Sequence, residues 1–181
     1  MERKITGIVP VKLSERLPGK HLLRFGGRTL LETVVDKLSR CCPVRVYSKI
    51  PLPIPYVKDT SENIMHLLSL LSGEYGEFLL VAGDMPFFTE NDIRLLISKS
   101  AGKTTVPRHP NGQLEPLFAK YSGRLEPGRN LESMIHSADA EFIDAQLFSP
   151  LAFFNVNTMD DYLRAIELLN VHGMSSGKDH R

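Results

Sequence analysis

The sequence of 181 residues has little cysteine, and the two cysteines it has, Cys41 and Cys42, are adjacent. Two thiols cannot complete a four-ligand zinc site or form a disulfide framework. Its 6 histidines are scattered without the spacing that metal ligands require. The sequence therefore predicts free thiols in a reducing cytosol and neither a zinc module nor a disulfide scaffold.

A surplus of charge and a long apolar run are also missing. Lysine and arginine number 22 against 21 acidic residues, for a net charge of +1, which removes the usual electrostatic basis for nucleic-acid binding. No apolar stretch approaches the ~20 residues of a membrane helix. The charged start, Met1 to Lys4, leads directly into a strand-like run and does not resemble a signal peptide. We expect a cytoplasmic protein that binds neither nucleic acid nor membrane, as a monomer or small homo-oligomer.

Length and composition predict one ordinary globular domain. Hydrophobic residues make up 42% and charged residues 24%, and a chain of this size buries roughly 70% of its unfolded surface without a staple. We expect the domain to span residues 1–171. Residues 172–181 are polar and are expected to form a disordered tail.

Strand-like and helix-like segments alternate along the chain. Strands are predicted at 5–11, 44–47, 54–57, 78–82, 117–121 and 142–143, and helices at 29–40, 62–71, 89–98 and 159–170. Capping boxes open three of the helices, at Thr29, Thr89 and Thr158. This order predicts βαβ units in an α/β fold with a mainly parallel sheet, whose ligands bind beyond the carboxyl ends of the strands.

A basic loop follows the first strand. Lys12, Arg16 and Lys20 stand at four-residue spacing, with Ser14 and Gly19 between them. Such a loop could bind a polyanion such as a nucleotide phosphate, or it could be a solvated surface loop. The segment is not a Walker A sequence, and no dinucleotide fingerprint is present, which disfavours P-loop kinases, GTPases and ordinary NAD enzymes.

Five other residues, which stand close to predicted strands or just before a predicted helix, have side chains suited to phosphate-transfer chemistry. Asp84 ends the strongest strand and could hold Mg²⁺ through one oxygen, or could be a turn aspartate. Asn155 and Asn157 share one face of an extended segment and could meet a metal shell or a ribose, or could form a turn. Asp59 could meet a base or ribose, and Glu115 could line an acceptor pocket.

Four motifs in this order resemble the molybdenum cofactor guanylyltransferases and their relatives among the glycosyltransferase-A-like nucleotidyltransferases. The motifs span nearly the whole chain and are S14-E-R-L-P-G-K20 with F25-G-G-R-T-L-L31, V81-A-G-D-M-P-F87, E115-P-L-F-A-K-Y121 and F154-N-V-N-T-M-D-D161. The resemblance implies a three-layer α/β/α sandwich of the Rossmann-like nucleotide-diphospho-sugar transferase fold. It implies a Mg²⁺-dependent enzyme that transfers GMP from GTP to the phosphate of molybdopterin and releases pyrophosphate.

The resemblance also implies roles for single residues. Arg16 and Lys20 would bind the nucleotide phosphates and act with Asp84 in catalysis, and Asp84 and Asn157 would serve the metal. The wider nucleotide site would comprise Pro10, Val11, Lys12, Ser14, Lys20, Asp59 and Asp84. The acceptor side would comprise Glu115, Asn155 and Asn157.

One segment departs from the family pattern and keeps alternatives open. The family loop usually begins Leu-Ala-Gly-Gly, whereas this chain has Val9-Pro10-Val11-Lys12, which is closer to the cytidylyltransferases that activate acidic sugars and would use CTP. The family's Gly-Pro-Leu after the Asp59 position is also missing. The Asn-Val-Asn-Thr segment at 155–158 also resembles guanylyltransferases of adenosylcobinamide phosphate. A catalytically inactive nucleotide-binding partner protein is the non-enzyme alternative.

Overall fold

Alternating strands and helices build a seven-stranded sheet in the computed structural model, which describes residues 5–99 and 102–175. The strands are β1 (Thr6–Val11), β2 (Arg24–Phe25), β3 (Arg28–Thr29), β4 (Val44–Ser48), β5 (Val57–Lys58), β6 (Glu77–Val81), β7 (Thr105–Arg108), β8 (Phe118–Ser122) and β9 (Glu141–Asp144). The helices are α1 (Leu30–Ser39), α2 (Ile64–Tyr75), α3 (Glu90–Ser98), α4 (Leu131–Ser137) and α5 (Met159–Ser175). The spatial order of the large sheet is β5-β4-β1-β6-β8-β7-β9.

Strand β8 is antiparallel to both of its neighbours, β6 and β7, and the other paired strands of this sheet are parallel. The predicted mainly parallel sheet is therefore confirmed. Of the described helices, α1 and α3 pack on one face of the sheet around Val9 and Leu79, and α2 and α4 pack on the other around Ile8 and Leu80. These layers confirm the three-layer sandwich.

Central strand β1 tolerates a proline because of where its hydrogen-bond ladders end. Gly7 donates its N–H to Pro43 on the β4 side, at 2.8 Å, so the alternating residue Pro10 faces β6. The β1–β6 register ends at Ile8 opposite Leu80. Pro10 therefore lies beyond the last pair, and its missing N–H leaves no gap in the ladder.

A third apolar cluster joins the β2–β3 hairpin to helix α5. Phe25, Leu30 and Ala165 are buried in it. The hydroxyl of Tyr162 on α5 donates to the carbonyl oxygen of Arg24 at 2.7 Å. This cluster fastens the last helix beside the segment that follows the basic loop.

The three predicted capping boxes are present, but several boundaries differ. Helix α2 begins at Ile64 rather than Glu62, because the side chain of Asn63 caps it by accepting from His66 N at 3.0 Å. The strand predicted at 54–57 is only Val57–Lys58, since Pro53 and Pro55 offer no N–H to a ladder. Helix α5 continues to Ser175, past the predicted end at 170 and into the predicted tail, because a single glycine is too weak a stop. Residues 1–4 and 176–181 lie outside the described residues.

The sequence prediction missed the β2–β3 hairpin, β7 and α4. The hairpin strands have two residues each, too few for a period to show. Strand β7 has four residues and contains Pro107, which argues against a strand in sequence. Helix α4 has only seven residues. Each of these elements depends on tertiary packing more than on local pattern.

Two glycines provide a matched test of how closely α1 packs on β1. A Cβ added at Gly7 would lie 2.7 Å from Cδ2 of the fully buried Leu38, whereas one added at Gly73, exposed on α2, would meet nothing within 4 Å. We expect Gly7→Ala to lower the free energy of unfolding by about 1–3 kcal/mol through overpacking. Gly73→Ala should raise it by up to ~1 kcal/mol through helix propensity. Urea denaturation of the two variants measures both, and equal effects would contradict the packing described.

Candidate active site

The candidate site lies at the carboxyl edge of the sheet. Strands β4, β1 and β6 are parallel neighbours, so the segments that follow them leave from the same edge. Val11 ends β1 and leads into the basic loop, residues 12–19; Val81 ends β6 and leads into residues 83–88. Two segments about seventy residues apart in sequence thus meet beside each other.

The conformation of the basic loop turns the next residue, Lys20, toward the interior of the protein. Ser14 Oγ accepts the N–H of Leu17 at 3.3 Å. Leu17 is buried in the apolar cluster that joins the β2–β3 hairpin to α5. Gly19 has φ +70°, a left-handed conformation that glycine adopts without strain. A 3₁₀ turn, Lys20–Leu22, begins directly after it, and Lys20 is only 7% exposed.

The Asp84 segment, residues 83–88, is held from both sides. A Cβ added at Gly83 would lie 3.1 Å from His21 Cδ2 and 3.2 Å from Leu31 Cδ1, so the backbone here packs closely on its neighbours. From α1, the Lys37 ammonium donates to the carbonyl oxygens of Pro86 and Phe88 at 2.6 and 3.2 Å. These contacts fix the direction of Asp84.

The Lys20 ammonium joins three segments of the chain. Its Nζ lies 2.5 Å from Asp84 Oδ2 and 3.0 Å from Asn157 Oδ1. The N–H of Val156 donates to the carbonyl oxygen of Asp84 at 3.0 Å, and Asp161 Oδ2 accepts the N–H of Asn157 at 3.0 Å. We call Lys20, Asp84 and Asn157 the charge triad.

One oxygen of the triad is left open. Asp84 Oδ1 is buried and has no hydrogen-bond partner among residues 5–99 and 102–175. A buried carboxylate oxygen without a donor is costly unless a cation or ligand completes it. No group of three or more His, Cys, Asp and Glu side chains in the same described ranges could hold a metal ion. The arrangement fits a hard divalent cation that takes one or two protein oxygens and completes its shell with phosphate and water.

Two other cations of the basic loop stand apart from the triad. Lys12 and Arg16 are exposed, and neither forms a hydrogen bond or ion pair with any part of the chain that the structure describes. Both side chains are free to turn toward a ligand at the carboxyl edge. The structure therefore brings Lys20, Asp84 and Asn157 together and leaves Arg16 outside the cluster.

Asp59 lies on the β4–β5 side of the same edge. Its N–H donates to Ser48 O at 2.9 Å, and its Oδ1 accepts the N–H of Ser61 at 2.8 Å. The Lys49 ammonium lies 3.8 Å from Asp59 Oδ2 and donates to the Ser61 carbonyl oxygen, while the Lys49 N–H donates to Val11 O at 3.0 Å. Sequence reasoning missed Lys49, although a lone cation directly after a strand was a usable signal.

Glu115 and Asn155 occupy the opposite, β7–β8 side of the edge. Glu115 is 8% exposed, and its Oε1 lies 2.8 Å from His109 Nε2. The His109 ring contacts Phe153 edge-on, with centroids 5.4 Å apart and an angle of 75° between the ring planes. The Asn155 amide donates to the Phe153 carbonyl oxygen at 3.3 Å and not to the triad. His109 carried no signal in sequence because its partner is set by the β7–β8 turn.

A buried histidine borders the triad and was also missed. His21 is 5% exposed and packs against Gly83. Burial lowers its pKa from 6.5 to about 4, against the smaller opposing effect of the Asp84 carboxylate. The imidazole is therefore neutral at pH 7 and adds no charge beside Lys20.

Two grooves lie away from the charge triad. One of about 570 Å³ runs between α1 and the β4–β5 edge, and one of about 520 Å³ lies between the β2–β3 hairpin and the end of α5. Neither is lined by a member of the charge triad. The candidate site instead lies at the open carboxyl edge of the sheet. Such a position suits a charged ligand that binds together with a metal ion.

The architecture is shared with nucleotide-handling proteins of known structure. The crystal structure of molybdopterin-guanine dinucleotide biosynthesis protein A from Archaeoglobus fulgidus matches with a TM-score of 0.70 at 20% identity, covering 91% of this chain and 99% of that one. At that identity the likeness establishes the fold. This fold, the lysine–carboxylate site and a match of residues 13–147 to a nucleotide-transferase domain together define a nucleotidyltransferase.

Sequence comparison gives the family. Residues 13–147 match the model of the MobA-like NTP transferase domain. Proteins named "probable molybdenum cofactor guanylyltransferase" are 36% identical in Thermococcus gammatolerans and 31% identical in Pyrococcus furiosus, each over 78% of this chain and over 87% and 85% of their own lengths. The chain belongs to the MobA-like NTP transferase family, which confirms the predicted fold class, family and enzyme class. No helix in residues 5–99 and 102–175 is long and apolar enough to span a membrane.

His21 predicts an acid-sensitive stability. The unfolded chain takes up a proton near pH 6.5, whereas the folded protein resists it until about pH 4. The free energy of unfolding should therefore fall as the pH drops through this window, by up to ~3 kcal/mol from this group. His21→Gln should flatten the pH dependence, and His136→Gln, at an exposed ring, should not. Denaturation from pH 7 to pH 4 tests this, and identical slopes for the wild type and His21→Gln would contradict it.

Proposed function

We propose that the protein transfers GMP from GTP to the phosphate of molybdopterin and releases pyrophosphate. The observation that carries the proposal is the charge triad, in which a buried lysine pairs with one oxygen of Asp84 while the other oxygen stays open. The family membership and the names of the archaeal relatives support the choice of reaction and acceptor.

The reaction joins two phosphates and needs little covalent assistance. An oxygen of the acceptor phosphate attacks the α-phosphorus of GTP in line, a P–O bond forms, and the bond to the pyrophosphate oxygen breaks. No strong general base is required because the attacking group is already a phosphate anion. The enzyme must therefore position the two substrates and neutralise the charge that they bring together.

The residues of the triad divide this work. Lys20 places its ammonium group beside the phosphates and stabilises the negative charge that grows on the leaving group. Asn157 accepts from the same ammonium, at 3.0 Å, and so restricts the direction in which Lys20 points. Arg16, which is exposed and has no partner among the residues that the structure describes, would close on the triphosphate once it is bound.

A divalent metal fits the open oxygen of Asp84. We assign Asp84 and Asn157 as the protein residues that would hold Mg²⁺, with phosphate oxygens and water as its other ligands. When bound, the metal neutralises the phosphate oxygens and aligns them. Lys20 pairs with Oδ2 of Asp84 and leaves Oδ1 for the cation, so Asp84 can bind both at the same time.

The remaining positions along the edge supply the two ends of the site. On the nucleotide side we assign Pro10, Val11, Lys12, Ser14 and Asp59, and on the acceptor side Glu115, Asn155 and Asn157. The backbone of the first group follows β1 to the carboxyl edge, where Lys49 ties it to the Asp59 turn. The order base, phosphates, acceptor then runs along the edge from β5 to β7.

One observation favours cytidylyl transfer as the second candidate. Val11 and Lys12 stand where the family loop usually has its two glycines, and Val11 is buried. The base therefore approaches a backbone without the open surface that glycine leaves. This feature bears on the base alone, since the charge triad serves either nucleotide.

Nucleotide titration separates the two candidates. We expect Mg–GTP to stabilise the protein selectively over CTP, ATP and UTP, by about 2.7 kcal/mol at one hundred times Kd. Thermal shift followed by isothermal titration measures this. Selective binding of CTP would favour the second candidate, and the absence of binding by all four would overturn the assigned nucleotide site.

Two ion pairs offer a matched test of the triad. Lys20→Met and Asp84→Asn should each lower kcat for pyrophosphate release at least ~100-fold, because charge stabilisation at the phosphates is lost. Lys103→Met and Asp139→Asn break an exposed pair, 3.4 Å apart, and should leave kcat within twofold.

Circular dichroism must show all four variants folded for this comparison. Near-normal turnover in either triad variant would remove that residue from the mechanism. Equal losses in the exposed-pair variants would show that the effect is one of stability.

A further inference from the structure

The acceptor side contains a polar pair, a buried glutamate and a half-buried histidine, that the phosphate chemistry does not use. Glu115 is 8% exposed as a residue, and its side chain keeps 11% of its accessible surface. Its Oε1 is paired with His109 Nε2 at 2.8 Å. Because a carboxylate only accepts, the imidazole donates its Nε2–H, which fixes the direction of the ring.

The pair is fixed in position by the backbone on both sides. Glu115 donates its N–H to Pro107 O at 3.0 Å, and His109 donates its N–H to Gln113 O at 2.8 Å, closing the β7–β8 turn. Two residues further on, the Leu117 carbonyl oxygen accepts the N–H of Ala82 at 2.8 Å. Glu115 is thereby tied to the strand end that presents Asp84.

The second carboxylate oxygen of Glu115 has no partner in the part of the chain that the structure describes. Within residues 5–99 and 102–175, Oε2 of Glu115 forms no hydrogen bond, while Oε1 is occupied by His109. Phe153 is in T-shaped contact with both His109 and Phe118 and adds an aromatic surface beside the imidazole that holds Glu115. A carboxylate that is mostly buried but keeps 11% of its side-chain surface, held by an imidazole on an aromatic ring, suits a flat, neutral ligand ring with N–H donors at its edge.

We propose that Glu115 selects the acceptor by accepting hydrogen bonds from the N–H groups at the pyrimidine edge of its pterin, and that His109 is the positioning residue of this carboxylate. The inference rests on the proposed function and deepens it, since it names the part of the acceptor that is read. A sugar acid would present a second carboxylate to Glu115 and be repelled. The acceptor's phosphate end then extends toward the triad.

Steady-state kinetics with molybdopterin at saturating Mg–GTP test the assignment. Glu115→Gln, which replaces an acceptor oxygen by a donor, should raise KM for molybdopterin at least tenfold while kcat stays within threefold. Kd for Mg–GTP should stay within twofold. Glu126→Gln, at an exposed glutamate, is the matched control and should change none of the three.

The His109 variants distinguish positioning from structure. His109→Ala removes the donor to Oε1 and should raise KM for molybdopterin about fivefold or more. His109→Gln, whose amide can reach the same oxygen, should restore KM to within twofold of the wild type. If Glu115→Gln fails to fold, this pair decides the question, since neither change alters the carboxylate.

A free pterin without a phosphate gives a readout independent of turnover. It should compete with molybdopterin in the wild type and lose at least tenfold in inhibition constant in Glu115→Gln. Unchanged KM and inhibition constants in Glu115→Gln, with molybdopterin turned over by the wild type, would overturn this inference alone. A wild type that binds Mg–GTP but does not turn over molybdopterin would overturn the proposed function and this inference with it.

Discussion

The burial of the Lys20 ammonium group determines how the segments at the carboxyl edge of the sheet are arranged. Lys20 is 7% exposed, and a buried charge is tolerated only when charged or polar partners replace its water. Those partners, Asp84 and Asn157, come from two other regions of the chain. The requirement to satisfy one cation therefore holds the loop after β1, the loop after β6 and the segment before α5 in a single arrangement.

The elements around Lys20 are closely packed, whereas the basic loop before it carries exposed side chains. Strands β1 and β6 are buried on both faces, and Lys37 clamps the Asp84 loop through two carbonyl oxygens. Lys12 and Arg16 have no partner among the described residues and stay exposed. In the proposed function, the fixed charges would bind the core of the triphosphate, and the exposed charges would bind its outer oxygens.

The sequence was informative where a property is local. Capping threonines located three helices, and alternation with apolar strands predicted the parallel sheet. It also pointed to Lys20 through the regular spacing of cations in the loop after the first strand, to Asp84 at the end of the strongest strand, and to Asn157 just before the last helix. It could not give the His109–Glu115 pair, the neutral His21 or the Lys49 contact with Asp59, since each depends on a distance set by tertiary packing. Short elements such as β7 were not predicted from the sequence for the same reason.

Strand β8 runs against its neighbours, and this reversal has a consequence for how the enzyme family can diversify. On one side of the sheet, the connection from β1 to β4 contains α1 and the connection from β5 to β6 contains α2, so their lengths are tied to those helices. On the other side, the turn between β7 and β8 joins antiparallel strands and needs no crossover. In the proposed function this turn belongs to the acceptor side, so residues inserted or removed there would change the acceptor without shifting a helix or Asp84.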